Sequence, residues 1–417
     1  LTLPGFVERS RSIASLPSLG LLTLAGMTPA QHQRRYLEMP DLSGIDQLPR
    51  DVDLVAISSF SAQIEEAYQV AEHYRTLRIP VVMGGLHVTA LPQEAIAHGA
   101  AAVVGEGESV WRDVLHDAER GRLRPLYDAR GAEFNLAAAP MPAYELLDIA
   151  RYNRITVQTS RGCPWRCSFC ASSILLTHKY KQKPAAQVLA EIDHIRSLWP
   201  RPFIEFADDN SFCHRAYWKA LLPEIAKRQI KWFAESDLAI HEDDELLRLM
   251  REAGCVEVLI GLESPTSEGL DGVETKCNWK LSRVPQYRDA IRRIQAQGIR
   301  VNACFVLGLD GQTTRVFDQV LDFVAEALPF DVQVTVPTPF PGTPMFAQLQ
   351  REGRLLADRA WERCTLFDVN FRPTHMSPQE LAAGLRQMIV ALYSDEATAR
   401  RHQHFKALRR QTPSMAA

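Results

Sequence analysis

The sequence predicts an α/β protein with an N-terminal doubly wound, Rossmann-like domain, a partial (β/α)6 barrel of the TIM type and a small, mostly helical C-terminal region. Three observations indicate this fold class. Apolar, strand-like runs alternate with helical patterns over most of residues 52–339, small or glycine-rich segments follow several of these runs, and an Ala- and Pro-rich stretch interrupts the alternation. Continuous apolar strands separated by helices are typical of parallel sheets that are covered on both faces.

The same pattern divides the chain into domains. We expect a first domain over residues 1–134, a linker over 135–150, a barrel over 151–345 and a helical region over 346–417. A chain of 417 residues is long enough for two or three domains of ordinary size.

Strand–helix units at 52–77, 79–92 and 101–118 make up the predicted first domain. Ligands of parallel sheets bind beyond the C-terminal ends of the strands. Small residues there let the backbone approach a bulky ligand closely. The candidate ligand contacts at these ends are Ser58, Ser59, Phe60, Ser61, Gly84, Gly85, His87, Gly105, Glu106 and Glu108.

Six strand–helix units make up the predicted barrel. Six units are too few for a complete eight-fold barrel, and they favour an open, partial barrel whose site lies at the C-terminal strand ends. A helix over 377–394 follows, with Pro378 near its start, and we expect this last region to cap the barrel mouth. The predicted barrel strands are 155–160, 203–209, 231–236, 256–264, 300–309 and 331–339.

Composition excludes several kinds of partner. With 46% hydrophobic residues, 23% charged residues and a formal net charge of −3, the chain has no excess of positive charge for nucleic acid or an anionic membrane. Its longest apolar stretch, 19–27, is far shorter than the roughly 20 residues of a membrane span. No basic-then-apolar secretory signal opens the sequence.

The cysteines are distributed unevenly, with none in residues 1–162. A secreted disulfide framework would spread them through a small, loop-rich domain, so this pattern indicates a reducing cytoplasm. Five single cysteines are expected to be small buried hydrophobes. They are Cys213, Cys255, Cys277, Cys304 and Cys364.

The other three cysteines, Cys163, Cys167 and Cys170, form a CxxxCxxC cluster in "RGCPWRCSFC". A structural zinc site takes four ligands, and a ferredoxin-type cluster takes four thiolates. Three thiolates on one loop can instead hold three irons of a [4Fe–4S] cluster and leave the fourth iron open. A coincidental thiol cluster or a zinc loop is the alternative.

This motif and its flanks resemble the radical S-adenosylmethionine (SAM) superfamily. The matching segments are "TSRGCPWRCSFC", "FADDNSF", "AGCVEVLIGLES", "GIRVNACFVLGL" and "PFPGTPMF". The N-terminal segments "LPSLGLLTLAG", "VDLVAISS", "PVVMGGLHVTALP" and "VVGEGES" are similar to the branch with a cobalamin-binding domain. The segment "FDVNFRPTHMSPQEL" resembles the tail of the hopanoid-methylase-like subgroup, so the resemblance covers residues 15–395 or thereabouts.

The resemblance implies a role for individual residues. It makes the three clustered cysteines the ligands of a [4Fe–4S] cluster, whose open iron binds SAM. The implied SAM contacts are Phe169, Asp208, Asp209, Glu235, Ser236, Gly261, Glu263 and Leu307. Each position also has a purely structural alternative. These alternatives are local loop packing for Phe169, a helix cap or solvated loop for the two aspartates, and barrel packing for the other residues.

In the first domain, the resemblance implies that the three loops bind cobalamin. None of the twelve histidines lies in a DxHxxG pattern, and His87 has Gly85 two positions before it. We therefore expect no histidine–cobalt bond through that motif, and expect the loop Ser58–Ser61 to meet the lower face of the corrin. A degenerate domain that binds nothing is the alternative.

The implied function is cobalamin-dependent radical SAM methylation of an unactivated carbon in a small-molecule or lipid-like substrate. A 5′-deoxyadenosyl radical and methylcobalamin would carry it out, with an electron donor such as flavodoxin or ferredoxin. Ring formation, contraction or rearrangement with the same cofactors, and aminocarboxypropyl transfer, are left open. A transfer-RNA methylthiotransferase is disfavoured by the cysteine-free N-terminal region, and a metal-binding scaffold or regulatory protein is the non-enzyme alternative.

Overall fold

The structure is a computed structural model that describes residues 16–177 and 179–411. The predicted outer ends of the first and last regions, at 1–15 and 412–417, lie outside these residues. A first parallel sheet has the strand order β1-β2-β3-β4. Its strands are β1 (Val55–Ser58), β2 (Val81–Gly84), β3 (Ala101–Gly105) and β4 (Leu126–Ala129).

Helices cover both faces of this sheet, as the sequence predicts. One core contains Tyr68 and Val88 with Met83 of β2, and the other contains Val82 and Trp111. The strand β4 is missing from the sequence prediction because its run is short and interrupted by a charged residue. The helices are α1 (Leu19–Met27), α2 (Ile64–Thr76), α3 (Leu86–Ala90), α4 (Pro92–Ala97) and α5 (Trp111–Glu119).

The second sheet is a six-stranded, all-parallel partial barrel, which confirms the predicted architecture. It starts at β5 (Ile155–Val157), after which β6 (Ser160–Arg161) and β7 (Lys181–Gln182) form a separate antiparallel ribbon. The order is β12-β11-β10-β9-β8-β5. The remaining strands are β8 (Phe203–Phe206), β9 (Lys231–Ser236), β10 (Cys255–Glu263), β11 (Arg300–Val306) and β12 (Asp331–Thr335).

The two faces of the barrel sheet differ in polarity. On β11, Val301, Ala303 and Phe305 are buried in the core against the helices, while Asn302 and Cys304 on the other face are half-buried. This two-residue period is the expected pattern of a strand with one apolar face. The packing helices are α6 (Ala171–Leu175), α7 (Ala185–Leu198), α8 (Arg215–Ala226), α9 (Asp244–Glu252), α10 (Trp279–Arg283), α11 (Tyr287–Ala296) and α12 (Val316–Ala327).

The last region contacts both sheets. It contains α13 (Pro344–Arg351), α14 (Pro378–Leu392) and α15 (Asp395–Gln411), and α14 begins with a capping box between Ser377 and Glu380. The α14 helix packs on α12 and β12. Trp361 and Cys364, between α13 and α14, are buried in the core of the first sheet. The region therefore completes the first domain, a contact that the sequence analysis missed.

Across residues 16–177 and 179–411, no helix has the length and apolar character that crossing a bilayer requires.

Candidate active site

The three clustered cysteines lie on one loop at the C-terminal edge of the barrel. The loop follows the β6 strand and ends at α6, and all eight cysteines of the chain carry free thiols. Cys167 is buried, and Cys163 and Cys170 are half-buried. Burial raises the pKa of Cys163 to about 11 and also raises the pKa of Cys167 and of Cys170. Metal binding would overcome this cost, because a coordinating thiol loses its proton outright.

Asp208 and Asp209 hold the two ends of this loop. Asp208 is buried and accepts hydrogen bonds from the Thr159 amide (2.7 Å), the Thr159 hydroxyl (2.5 Å) and the Ser160 amide (2.8 Å). Asp209 accepts from the Gly162 amide at 2.7 Å and from the Ser172 hydroxyl. Burial raises the pKa of Asp208 to about 6 against the opposing effect of these donors. Both carboxylates thus support the cysteine loop directly. Their contact with SAM remains a prediction.

A segment that the sequence analysis missed covers the cysteine loop. Cys167 and Glu274 form an antiparallel bridge, and the Ser168 amide donates to the Val273 carbonyl at 2.8 Å. Trp165 of the loop stacks on Trp279, with 4.3 Å between ring centroids. The CxxxCxxC spacing contains no signal for this cover, because its residues come more than one hundred positions later in the chain.

The predicted SAM contacts Gly261 and Glu263 lie around a buried ammonium group. Lys280 Nζ lies 2.5 Å from the Glu263 carboxylate and 2.8 Å from the Gly261 carbonyl. A Cβ atom at Gly261 would lie 2.6 Å from the Glu263 carboxylate and 3.0 Å from the Lys280 nitrogen. A larger residue at this position would displace the ends of the two paired side chains, so the glycine leaves room for the chain's own ion pair.

Two further SAM candidates differ in accessibility. Glu235, on the polar face of β9, is exposed to solvent. Desolvation by the surrounding protein, with the charges of Glu205 and Asp209, raises the pKa of Glu235 to about 7. Ser236 is buried on the opposite face, and its hydroxyl donates to the Asp237 carbonyl at 2.9 Å.

Phe169 and the turn after β11 come together beside the cysteines. Phe169 packs with Cys167, Val306 and Leu309 in one small apolar cluster. Leu307 is fully buried, and its amide donates to the carbonyl of Thr335 at 2.8 Å. The side chain of Gln312 bonds the neighbouring amides of residues 308 and 309 and the carbonyl of residue 306. Most polar backbone groups of the turn are thereby already used.

The first domain presents an open rim at the C-terminal edge of its sheet. Phe60, just beyond β1, has 79% of its surface exposed, and Ser58 is exposed beside it. An exposed aromatic ring at the ligand-binding edge of a parallel sheet offers an apolar contact to a bound group. The rim candidates that the structure brings together are Ser58, Ser59, Phe60, Gly84, Gly85 and Gly105.

His87 and Ser61 do not line this rim, although both were predicted to. Their side chains are buried together, with Ser61 Oγ 3.1 Å from His87 Nδ1 and Glu94 3.4 Å from His87 Nε2. The ring of Trp361 packs edge-on against the imidazole at 5.2 Å. Burial lowers the pKa of His87, so its neutral ring supports the rim loop from behind.

Glu106 and Glu108 also bond within the protein. Arg161 donates to Glu106 at 2.8 Å and to Glu108 at 2.7 Å, and Lys181 Nζ lies 2.5 Å from Glu106. The amide of Phe134 donates to the second oxygen of Glu106 at 3.1 Å. The two carboxylates therefore connect the first domain to the ribbon that precedes the cysteine loop.

The expectation of five buried single cysteines holds for Cys255 and Cys364 and is wrong for Cys277. Cys277 is exposed because it lies in the surface turn between the loop cover and α10. Cys213 and Cys304 are half-buried.

The residues fit an iron–sulfur cluster. Cys163, Cys167 and Cys170 are free thiols on one short loop, and thiolate sulfur is the ligand that iron–sulfur clusters take. Within residues 16–177 and 179–411, no three His, Cys, Asp or Glu side chains converge as the ligands of one ion do. Thiolates that each bind a different iron need no such convergence.

Fold and site together define a class of protein: a radical SAM barrel preceded by a cobalamin-type α/β domain. Three family models match the chain in this order. They are a B12 binding domain over residues 14–115, the radical SAM superfamily over 157–324, and a domain of unknown function, DUF4070, over 343–416. The chain thus contains a domain that matches the radical SAM superfamily, preceded by a B12-binding domain.

Curated relatives are similar over most of their length. An uncharacterised methyltransferase of Synechocystis is 28% identical over 86% of this chain and 67% of that protein. The hopanoid C-2 methylase of Rhodopseudomonas palustris is 26% identical over 94% of this chain and 74% of the methylase. An anaerobic magnesium-protoporphyrin IX monomethyl ester cyclase of Rubrivivax gelatinosus is 25% identical over 72% of this chain and 58% of the cyclase.

A solved structure shares the whole fold. The radical SAM methyltransferase TsrM from Kitasatospora setae, solved with cobalamin and a [4Fe–4S] cluster, gives a TM-score of 0.70. The superposition covers 91% of this chain and 87% of TsrM at 17% identity, so the likeness establishes the architecture.

Proposed function

We propose that this protein is a cobalamin-dependent radical SAM C-methyltransferase that methylates an unactivated carbon of a small-molecule or lipid-like substrate. The observation that carries the proposal is the pairing of two sites. A loop with three free thiols at the barrel edge is joined by buried ion pairs to a domain whose rim has an exposed Phe60 beside half-buried glycines. Methylation is favoured over other chemistry by the methyltransferase relatives.

Cys163, Cys167 and Cys170 are the residues that would hold a [4Fe–4S] cluster. When bound, the cluster supplies the electron that cleaves SAM and so gives a carbon-centred radical. The bridge from Cys167 to Glu274 and the Trp165–Trp279 stack cover one side of the loop and keep water from Cys167. Asp208 and Asp209 keep the loop in one conformation.

The rim around Phe60 would hold cobalamin, whose chemistry when bound is transfer of a methyl group. The exposed ring offers a flat apolar contact, and Gly84 and Gly85 let the backbone approach a wide planar group. His87 is buried behind the rim, so we do not assign it a contact with cobalamin.

The polar face of the barrel would meet SAM and the substrate. Glu235 is reached by solvent there and has a pKa of about 7, so its carboxyl group can hold or release a proton near neutral pH. The proposal also includes a one-electron donor such as flavodoxin or ferredoxin and a cytoplasmic location, supported by eight free thiols.

The test is anaerobic purification with added hydroxocobalamin, followed by measurement of iron, sulfide and corrinoid. We expect about four irons and one corrinoid per chain, with iron lost on Cys163→Ala, Cys167→Ala or Cys170→Ala. The control is Cys277→Ala, which removes an exposed thiol outside the loop and should leave iron unchanged. Iron binding without corrinoid would contradict the methyltransferase proposal.

A turnover assay with reductant, SAM and extracts containing candidate substrates separates the chemistries. Methylation gives S-adenosylhomocysteine beside 5′-deoxyadenosine and a product heavier by one methyl group. Cyclisation or rearrangement would give 5′-deoxyadenosine without S-adenosylhomocysteine, and aminocarboxypropyl transfer would give methylthioadenosine. Either of these outcomes would replace the proposal.

A further inference from the structure

In the β6–β7 ribbon that precedes the cysteine loop, two positively charged side chains face each other. Arg161 on β6 lies directly opposite Lys181 on β7 in this two-residue antiparallel pair. Like charges that face each other across a strand pair are destabilising. Both side chains are largely buried, with 13% of each exposed, so water does little to screen them.

Carboxylates of the first domain neutralise this pair. Glu106 accepts from both cations, and Glu108 accepts from the second guanidinium nitrogen of Arg161. The glutamate side chains are 2% and 9% exposed. Two positive and two negative charges thus form one buried, neutral cluster between residues that are far apart in sequence.

The four residues lie next to both proposed cofactor loops. Glu106 directly follows Gly105, the last residue of β3 at the rim, and Arg161 is separated from Cys163 by only Gly162. Both backbones are fixed where they enter these loops. A Cβ atom at Gly105 would lie 3.0 Å from the backbone of residue 129, and the Gly162 amide is bonded to Asp209.

We propose that Glu106, Glu108, Arg161 and Lys181 form an interdomain lock that sets the position of the rim relative to the cysteine loop. The proposal rests on the proposed function, since it takes the two loops as sites for two cofactors. It assigns Glu106 and Glu108 to positioning, whereas the sequence resemblance implied that they contact cobalamin. A ligand that took Glu106 would leave the buried Lys181 without a carboxylate, and one that took Glu108 would leave two buried cations to share Glu106; both are unfavourable.

A lock of this kind matters because radical and group transfer depend on fine positioning. A displacement of about 1 Å at a reacting group can cost roughly 100-fold in rate. The first domain also contacts the barrel through the last region, where Trp361 enters its core. That contact lies behind the rim at His87. On the cysteine-loop side, the lock is the buried ionic connection, and it is accompanied by the exposed pair Lys179–Glu133 and by packing of α3 on α6.

The test compares the double variant E106Q/E108Q and the variant R161Q with wild type, all reconstituted with iron, sulfide and hydroxocobalamin. R161K, which keeps one positive charge, is the conservative rescue. The control is R124Q, because Arg124 pairs with Asp117 and Asp113 on the exposed surface of the same domain. Each sample is measured for iron and corrinoid, and then by electron paramagnetic resonance with the cluster reduced and cobalt as Co(II).

We expect E106Q/E108Q and R161Q to retain both cofactors and to lose the magnetic interaction between cobalt and cluster that wild type and R124Q show. R161K should recover part of it. Loss of corrinoid alone from E106Q/E108Q would overturn the lock and make the glutamates cobalamin ligands. An unchanged interaction in all variants would also overturn it.

Limited proteolysis tests the lock independently of the proposed function. If wild type binds no corrinoid, the proposed function fails while the lock still predicts faster cleavage within residues 135–150 in R161Q than in wild type and R124Q. Equal cleavage rates would overturn the lock whatever the cofactor content. E108Q alone, which leaves Glu106 in place, serves if R161Q does not fold.

Discussion

Removing the ammonium group of Lys280 should destabilise the barrel strongly. Lys280→Met keeps the length of the side chain but leaves Glu263, 2.5 Å away and only 9% exposed, as a buried carboxylate without its cation. It also removes the donor to the Gly261 carbonyl. Burial alone would lower the pKa of Lys280, but Glu263 and Cys167 raise it, so wild type contains the charged pair. Breaking a buried pair from one side typically costs about 3–5 kcal/mol.

The assay is urea denaturation of the metal-free chain without oxygen, followed by tryptophan fluorescence. Trp279 lies next to Lys280 in sequence and reports on this part of the barrel. The double variant K280M/E263Q removes both charges and should recover most of the loss, since an apolar or neutral replacement of a buried pair is often nearly neutral. R248Q removes the exposed pair with Glu252 and should change stability by about 0.5 kcal/mol or less.

Two results would refute this reasoning. K280M within about 1 kcal/mol of wild type would mean that water reaches Glu263 and screens its charge. A double variant as unstable as K280M would mean that the packing of the lysine stem, and not its charge, stabilises the segment.

Three further predictions address the loop, the rim and the polar face. Asp208→Asn removes an acceptor for the Thr159 hydroxyl, which should lower the free energy of unfolding by about 1–3 kcal/mol. It should also lower iron incorporation, measured as iron per chain. Unchanged iron content would show that the cysteine loop does not need this hydrogen bond. Phe60→Ala should leave the melting temperature unchanged, since the ring is 79% exposed. It should weaken corrinoid binding roughly two- to tenfold, measured by equilibrium titration. An unchanged affinity would mean that Phe60 does not contact the corrinoid. Burial and Asp331 raise the pKa of Glu257 from 4.5 to about 7, so its effect makes wild-type stability fall as pH rises from about 4.5 to about 7, with no further change above that. Glu257→Gln should therefore be more stable than wild type by up to about 3 kcal/mol at pH 8 and by less than about 1 kcal/mol at pH 5 in urea denaturation; a difference independent of pH would contradict this.

The sequence predicts much of the fold because its signals are local. Strands such as 231–236 show an apolar run or a two-residue period, and their order alone indicates parallel pairing. Since the C-terminal ends of parallel strands share one edge, the position of the cysteines after the first barrel strand indicates that they lie at the site edge. The structure agrees on both points.

The roles of single residues at the site depend on partners that are distant in sequence. From the sequence, Glu106 is predicted to be a rim residue, but in the structure its carboxylate pairs with Arg161 and Lys181. His87 in a glycine-rich loop looks accessible, and its burial depends on Trp361 from the last region. Lys280 sits in an ordinary polar segment, and nothing local indicates that its ammonium is buried. Periodicity and spacing report the strand or helix, whereas these contacts depend on how distant segments are brought together.

The position of Trp361 in the first core also bears on the order of folding during synthesis. N-terminal domains commonly fold as units while the ribosome is still adding about 5–20 residues per second. Here the core around Tyr68 and Met83 includes Trp361 and Cys364, which are made only after the entire barrel. The first domain therefore cannot complete its core until residues 151–345 of the barrel have been synthesised.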